Sequence, residues 1–538
     1  MIKKTAFLFL LFFVLSSLKL NAQNKDIAFD YSKNLEIYNN LIKTLKMSYI
    51  DTLNFSELNK TAIDALLAEL DPYTVFIPEA EKESFEYVRT GKYGGVGLAI
   101  VKNENDYAYI SNIMPDQPAD QAGLQIGDKI LRVDGYDTRK MTKKELGVIF
   151  KGIPGKPFLL SIERLGEITS VDYLLTRKNI KVRNVAFSTM LDNSIAYISL
   201  QSFTLNAANE FLSAFLDLKE ENPKGLIIDL RDNGGGLIIE AVHALNVFLQ
   251  RGLELVRTEG KQAKSEYIYR TQRPAVDIAI PLVFLVDDQT ASAAEIMAGA
   301  AQDFDRAVLI GQNTYGKGLV QNVVPLNYDA QLKITIARFI LPSGRGIKNE
   351  ESQASSEVFT TLSGREVFEG KGLTPDIKMI KKVNDPQLLD QYKRLFIFEF
   401  ANEYFAKQNR KEIDENFIVD DVIVDSYKQF LAERNYSYVS STEKKVRDLR
   451  KQIENEKGQE ELVNLLLQAE NQQRLLSEQQ SSQAVQELKN ILRFEILTHK
   501  FYREGAARLC LGNDEAVQKA IEVLSDRNTY QALVRPQK

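Results

Sequence analysis

The sequence predicts a multidomain α/β protein, and three observations carry that expectation. At 538 residues the chain is longer than one compact core usually holds. Between Ala196 and about Ile380, apolar runs ("IAYISL", "GLIIDL", "LVFLV", "RAVLIG") alternate with helical stretches, the pattern of an α/β core. On either side the texture changes: β-rich with glycine turns from Gly91 to about Arg177, then long, charged and helical beyond Pro386.

Hydrophobic residues make up 44% and charged residues 26%, with 14 prolines, a composition that folds. A net charge of -5 gives no sign of nucleic-acid binding. Cys510 is the only cysteine, which excludes an intrachain disulfide and a multi-cysteine metal site. His243 and His499 are the only histidines.

Taking the elements in order, "MIKKTAFLFLLFFVLSSLKLNAQ" has a basic start, an apolar run and a small residue at Ala22. It reads as a secretory signal peptide over 1–22. The run falls short of the ~20 residues that span a bilayer. The expected location is therefore export to the periplasm, soluble or peripherally membrane-associated. Residues 23–86 form the N-terminal helical region: Leu41 and Leu45, then Ile63, Leu66, Leu67 and Leu70, recur at helical spacing. Two or three helices should end at the Asp71-Pro72 break.

Residues 87–178 read as a β-rich module. In "YGGVGLAI" the glycines fit either a plain hairpin turn or a nest of backbone N–H groups that takes a carboxylate, beside a strand that pairs with an extended peptide. The order Pro118-Ala119, Ala122-Gly123-Leu124, Gly127-Asp128 and "KILRVDG" resembles the PDZ domain of secreted bacterial proteases. The resemblance implies that Val96, Gly97 and Leu98 hold the C-terminal carboxylate of a substrate.

Residues 179–385 carry the candidate chemistry. "KGLIIDLRDNGGGLIIEAVHAL" runs a strand into three glycines and a helix. Such a turn is either structural or a site for an oxyanion or phosphate; the Gly-Lys-Ser/Thr of a P-loop is missing. In "DDQTASAAEIMAGA" either Thr290 or Ser292 can cap a helix, and "SAAE" fits a capping box with Glu295. Ser292 is also a candidate nucleophile, though this stretch by itself favours the cap. His243 follows the glycine turn on a helix, where its pairing with Glu240 is a weak metal motif, and His499 lies in the tail helices. Neither context suggests a base. Lys317, between Gly316 and Gly318, reads either as a solvated loop lysine or as the base. As a base its pKa must fall from about 10.4 by roughly three units, about 4 kcal/mol, which requires desolvation. Gln321 offers a neutral oxygen to orient the amine.

Taken together, the signal peptide, "DPYTVFI", the PDZ-like module, "DLRDNGGGL", "TASAAEIMAGAAQDFDRAVLIGQNTYGKGLVQ", "LPSGRGI" and "GLTPDI" resemble the C-terminal processing (tail-specific) serine proteases from about Asp26 to Ile380. The resemblance implies a crotonase-like protease core with an inserted PDZ domain. It implies Ser292 as nucleophile, Lys317 as general base, Gln321 orienting that lysine, and the N–H groups of Ala293 and Gly235 as the oxyanion hole. Asp303 matches an aspartate that some members need. Gly234 stands where the family usually has proline, and Ala294 where it often has serine. The implied reaction is acyl transfer on protein or peptide substrates with free C-termini, without metal or cofactor. The alternatives are a PDZ scaffold or adaptor with an inactive core, and a different acyl-transfer enzyme. Residues 386–538, a helical C-terminal extension, and the N-terminal helices are candidates for homo-oligomer contact or adaptor docking, or brace the core.

Overall fold

The computed structural model describes residues 29–79, 91–261, 266–348, 357–379, 385–408, 413–456 and 460–535. The segment read as a signal peptide lies outside them. Two compact units divide the chain. In the smaller, helix α1 (29–48) is followed by α2 (Phe55–Ala68), whose N-cap Asn54 accepts from the N–H groups of Ser56 and Glu57. As the Asp-Pro break predicts, the helices end there: the Asp71 carboxylate takes the N–H groups of Tyr73 and Thr74, both at 2.8 Å. Strand β1 (Val75–Ile77) then runs antiparallel to Gln331–Lys333. Leu67 is the buried residue of α2, while Leu66 and Leu70 stay exposed.

The larger unit begins with the β-rich module. Strand β2 (Lys92–Gly95) precedes a sheet built from β3 (Leu98–Val101), β4 (Ala108–Ile113), helix α3 (Pro118–Gln121), β5 (Lys129–Val133), α4 (Lys143–Phe150), β6 (Pro157–Glu163) and β7 (Val171–Thr176). β8 (Lys178–Lys181) returns to pair with β2. Sheet order β3-β4-β5-β6-β7 leaves β3 at an edge. Thr142 and Glu145 close a capping box that starts α4. Ile110, Ile130, Val133, Leu160 and Ile162 fill the module's core.

The α/β core follows: β9 (Val185–Leu191), β10 (Ile195–Leu200), α5 (Ala207–Lys219), β11 (Gly225–Asp229), α6 (Ile238–Leu245), β12 (Leu282–Val286), α7 (Ala293–Asp303), β13 (Ala307–Gly311), β14 (Leu319–Pro325) and β15 (Ile377–Lys378). One sheet runs β9-β10-β11-β12-β13-β15, with β9 antiparallel and the other neighbours parallel. The continuous apolar runs have their reason here, because a parallel sheet is covered on both faces. Alternate residues Ile198, Leu226, Ile228, Phe284 and Leu309 pack under α5, α6 and α7. Their neighbours Tyr197, Ile227, Val283, Leu285 and Val308 face the other way.

That second face is covered by the end of the chain. α8 (Phe396–Lys407) and α9 (Val485–Cys510) build a helical core of their own around Ile397, Phe400, Leu492 and Ile496. The Gln-rich stretch "NQQRLLSEQQSSQ" (471–483) lies within a helix, Glu460–Gln483. α10 (Glu515–Ser525) and α11 (Arg527–Val534) lay Val517, Ile521, Leu524 and Val534 on the protease sheet. The last helices are therefore a layer of the core. α9 breaks at Tyr502 (φ 57°, ψ 174°), and Tyr502 donates its hydroxyl to Asp120 Oδ1 of α3 at 2.5 Å. Asp514, N-cap of α10, accepts from Arg231 Nη1 at 2.8 Å.

Candidate active site

Ser292 ends the loop after β12 and opens α7 with φ 58° and ψ -119°. A residue that only caps a helix sits in the extended region. A serine forced to positive φ between a strand and a helix is a strained turn, of the kind that holds a nucleophile out of the chain. Its surroundings over-determine that conformation. Thr290 Oγ1 donates to Leu230 O at 2.8 Å, Tyr315 N–H to Thr290 O at 3.0 Å, and Ala291 N–H to Asn233 O at 2.9 Å. The loop is thus tied to the end of β11, to the Lys317 loop and to the glycine turn.

Glu295, fully buried, joins the two candidate catalytic residues. Its Oε2 accepts from the N–H groups of Ser292 at 2.7 Å and Lys317 at 2.8 Å, and its Oε1 from Thr314 Oγ1 at 2.5 Å and Gly316 N–H at 2.8 Å. The two backbone nitrogens are consequently no more than about 5.5 Å apart, the two bonds end to end. Burial pushes the Glu295 carboxyl up, against four donors that favour its ionised form. A carboxylate is the side chain that can accept all four. Sequence reasoning placed Glu295 in a capping box, which is correct for Ser292 N–H; its hold on Thr314, Gly316 and Lys317 depends on tertiary proximity that no local pattern encodes.

Lys317 is half-buried. Its glycine flanks have separate reasons. A side chain at Gly318 would stand 1.7 Å from Ile347 O, while Gly316 has φ 91°. Gln321, on β14, donates its amide nitrogen to Leu319 O at 3.0 Å and Thr335 Oγ1 at 3.4 Å.

The glycine turn meets the candidate nucleophile directly. A side chain on Gly235 (φ 91°) would fall 2.8 Å from Ser292 Cβ and 2.8 Å from Ala293 N, so only hydrogen fits. Gly235, Ser292 and Ala293 are therefore brought together. At Gly234, where the resemblance has proline, a side chain would meet nothing within 4 Å. Gly235 N–H donates to Asn233 Oδ1 at 2.9 Å.

The structure does not bring Asp303 to this cluster. It ends α7, about 16 Å along the helix from Ser292. There its buried carboxylate pairs with Arg345 Nη2 at 2.7 Å and takes Ser343 N–H at 3.0 Å. Burial raises its pKa and Arg345 opposes that shift. His499 is enclosed between the Phe398 and Phe405 rings, with centroids at 6.1 and 5.3 Å.

In the β-rich module the carbonyls of Val96 and Gly97 accept from Ala119 N–H at 2.9 Å and Met114 N–H at 2.8 Å. Gly97 (φ 76°) has Gln117 against it, and an added side chain would come 2.4 Å from Gln117 Cβ. Leu98 then opens the edge strand β3.

Comparison with known proteins agrees with this geometry. Residues 194–357 match peptidase family S41, residues 87–162 a PDZ domain, and residues 388–524 the probable PDZ-protease C-terminal helical domain. A carboxy-terminal-processing protease of Bartonella bacilliformis is 30% identical over 349 residues, 64% of this chain and 75% of that one. The chain belongs to peptidase family S41. Other S41 relatives include carboxy-terminal processing protease CtpA of Bacillus subtilis, 30% identical over 323 residues (60% of this chain, 68% of that one). The carboxyl-terminal-processing protease of Synechocystis sp. is 35% identical over 294 residues (53% and 68%). This S41 chain is thus a multidomain α/β protein of the serine-type C-terminal processing proteases, with a PDZ domain that marks peptide or protein substrates. Among the described residues no helix is long and apolar enough to cross a membrane.

Proposed function

We propose that the protein is an exported endopeptidase that selects substrates by their C-terminus and cleaves them with a Ser292-Lys317 dyad. The observation that carries this reading is the shared Glu295 oxygen, which holds the backbones of Ser292 and Lys317 together. Ser292 Oγ attacks the peptide carbonyl while the Lys317 amine takes its proton. Gln321 orients that amine through its carbonyl end, its nitrogen being engaged by Leu319 and Thr335. The N–H groups of Ala293 and Gly235 take the oxyanion, a contribution typically worth ~10²–10³ in rate per donor. Lysine protonates the leaving amine, and water attacks the acyl-enzyme, giving its proton to lysine, which passes it to Ser292 Oγ as the serine–acyl bond breaks and the carboxyl product leaves. Asp303 acts through the fold, fixing the far end of α7 to Arg345.

Substrate tails enter along β3, whose place at the sheet edge among the described residues suits strand addition, with the carboxylate at the N–H groups of Val96, Gly97 and Leu98. The working division is a signal peptide over 1–22, N-terminal helices over 23–86, PDZ domain over 87–178, protease core over 179–385 and helical extension over 386–538. The N-terminal helices and the C-terminal helices that precede α10 are the surfaces for a second copy or an adaptor, and export places the enzyme in the periplasm. The test compares wild type, Ser292→Ala and Lys317→Ala on an unstructured protein with an apolar C-terminus. Cleavage by wild type alone is expected; cleavage that persists in both variants overturns the dyad.

A further inference from the structure

Asn233 is fully buried in the glycine turn, and every polar group it carries is engaged. Its Nδ2 donates to Leu200 O at 2.7 Å, its own N–H to Leu230 O at 3.2 Å, and its carbonyl takes Ala291 N–H at 2.9 Å. Its Oδ1 takes the N–H of Gly235 at 2.9 Å. That last donor is the one the oxyanion requires, and here it points at a neighbouring side chain. The peptide unit carrying it joins Gly234 to Gly235, two residues with the freest backbone available, and the Gly234 side-chain direction is open. One plane can therefore turn while the bonds of Asn233 to Leu200, Leu230 and Ala291 stay in place.

We propose that Asn233 is a positioning residue that withholds the Gly235 N–H from the ground state and releases it to the oxyanion. A carboxamide oxygen is a neutral acceptor, whereas hydrogen bonds to a charged oxygen are roughly twice as strong. A substrate carbonyl, no better an acceptor than Asn233 Oδ1, leaves the bond in place. The tetrahedral oxyanion takes the donor over. The interaction is then made mainly in the transition state, which is the condition for raising kcat.

This inference rests on Ser292 being the nucleophile, and the experiment separates the two. Wild type, Asn233→Asp and Asn233→Ala are compared in mildly alkaline buffer for Tm, for kcat and KM on unfolded casein, and for affinity to a tripeptide aldehyde, whose hemiacetal with Ser292 carries the oxyanion. The ionised carboxylate of Asn233→Asp competes with the oxyanion for the N–H and repels it. Its kcat and aldehyde affinity are expected to fall about 10²–10³-fold with KM unchanged, and the deficit relative to wild type at the same pH to close as lower pH neutralises the new carboxyl. Asn233→Ala loses both side-chain anchors, so its Tm falls furthest. With no competing acceptor, it keeps its kcat and aldehyde affinity within about tenfold of wild type, less than one lost oxyanion donor would take away. Activity that follows Tm, with Asn233→Ala the worse enzyme, overturns the proposal. A wild type that forms no adduct on Ser292 overturns the nucleophile and this inference together.

Discussion

Ser292 and Lys317 donate their backbone N–H groups to the same oxygen, Oε2 of Glu295, at 2.7 and 2.8 Å. Glu295→Gln puts an NH₂ where two of four donors now find an acceptor, and each buried donor left unpaired costs about 1–3 kcal/mol. Because a small misplacement of reacting groups can cost ~10²-fold, kcat should fall by about that factor, with a lower Tm. Kinetics and thermal melts of this isosteric variant check it; wild-type kcat would show that the clamp has no part in positioning.

The fold and the candidate site were legible to different degrees. Apolar runs announced β10 to β13 because both faces of a parallel sheet are buried, and the glycine flanks singled out Lys317 as a candidate base, with Ile347 O giving the reason for glycine at 318. The role of Glu295 was hidden, since a capping box looks the same whether or not its carboxylate also binds a distant loop. The covering of the sheet by Val517, Ile521 and Leu524 was hidden for a similar reason: an amphipathic stripe states that a face is buried without stating against what.

That covering gives a second prediction. A chain ending at Gly512 uncovers the sheet face under Val517, Ile521, Val523 and Leu524, each worth about 1.5–3 kcal/mol of burial, and loses the Asp514 partner of Arg231 beside the glycine turn. The total rivals the whole stability of a domain, about 5–15 kcal/mol. Circular dichroism and casein cleavage should show an unfolded, inactive protease core. A truncated chain with normal activity would refute it.

The proposed tail recognition places the substrate carboxylate at backbone around Gly97. Gly97→Ala places a methyl 2.4 Å from Gln117 Cβ on a residue with φ 76°, so the loop must move. Calorimetry should show that wild type binds a free-carboxyl peptide better than its amidated twin and that Gly97→Ala loses the preference, while hydrolysis of a short peptide too small to reach the PDZ domain persists. Equal binding of both peptides by wild type would contradict the assignment.

The helical domain should be acid-labile through His499. Burial depresses its pKa from 6.5 to about 4, so folding favours the neutral ring. The unfolded chain binds the extra proton as pH falls below 6.5, and stability declines until about pH 4. The full loss is about 3 kcal/mol. His499→Phe, which keeps an aromatic ring between Phe398 and Phe405, should flatten that part of the pH-stability curve measured by urea denaturation. An unchanged slope would assign the effect to other groups; Glu495, one turn earlier, is not among them, because desolvation raises its carboxyl and so favours the folded chain as pH falls.

The central claim, that Lys317 activates Ser292, is tested most directly by trapping. A peptide phosphonate incubated with the enzyme and read by intact-mass and peptide-mapping spectrometry should add once, at Ser292, with a rate that rises as the amine deprotonates. Ser292→Ala should show no adduct, and Lys317→Ala, still folded, should label at least ~10²-fold more slowly. Labelling of Ser292 at the same rate without Lys317, or stoichiometric labelling elsewhere, would contradict the account.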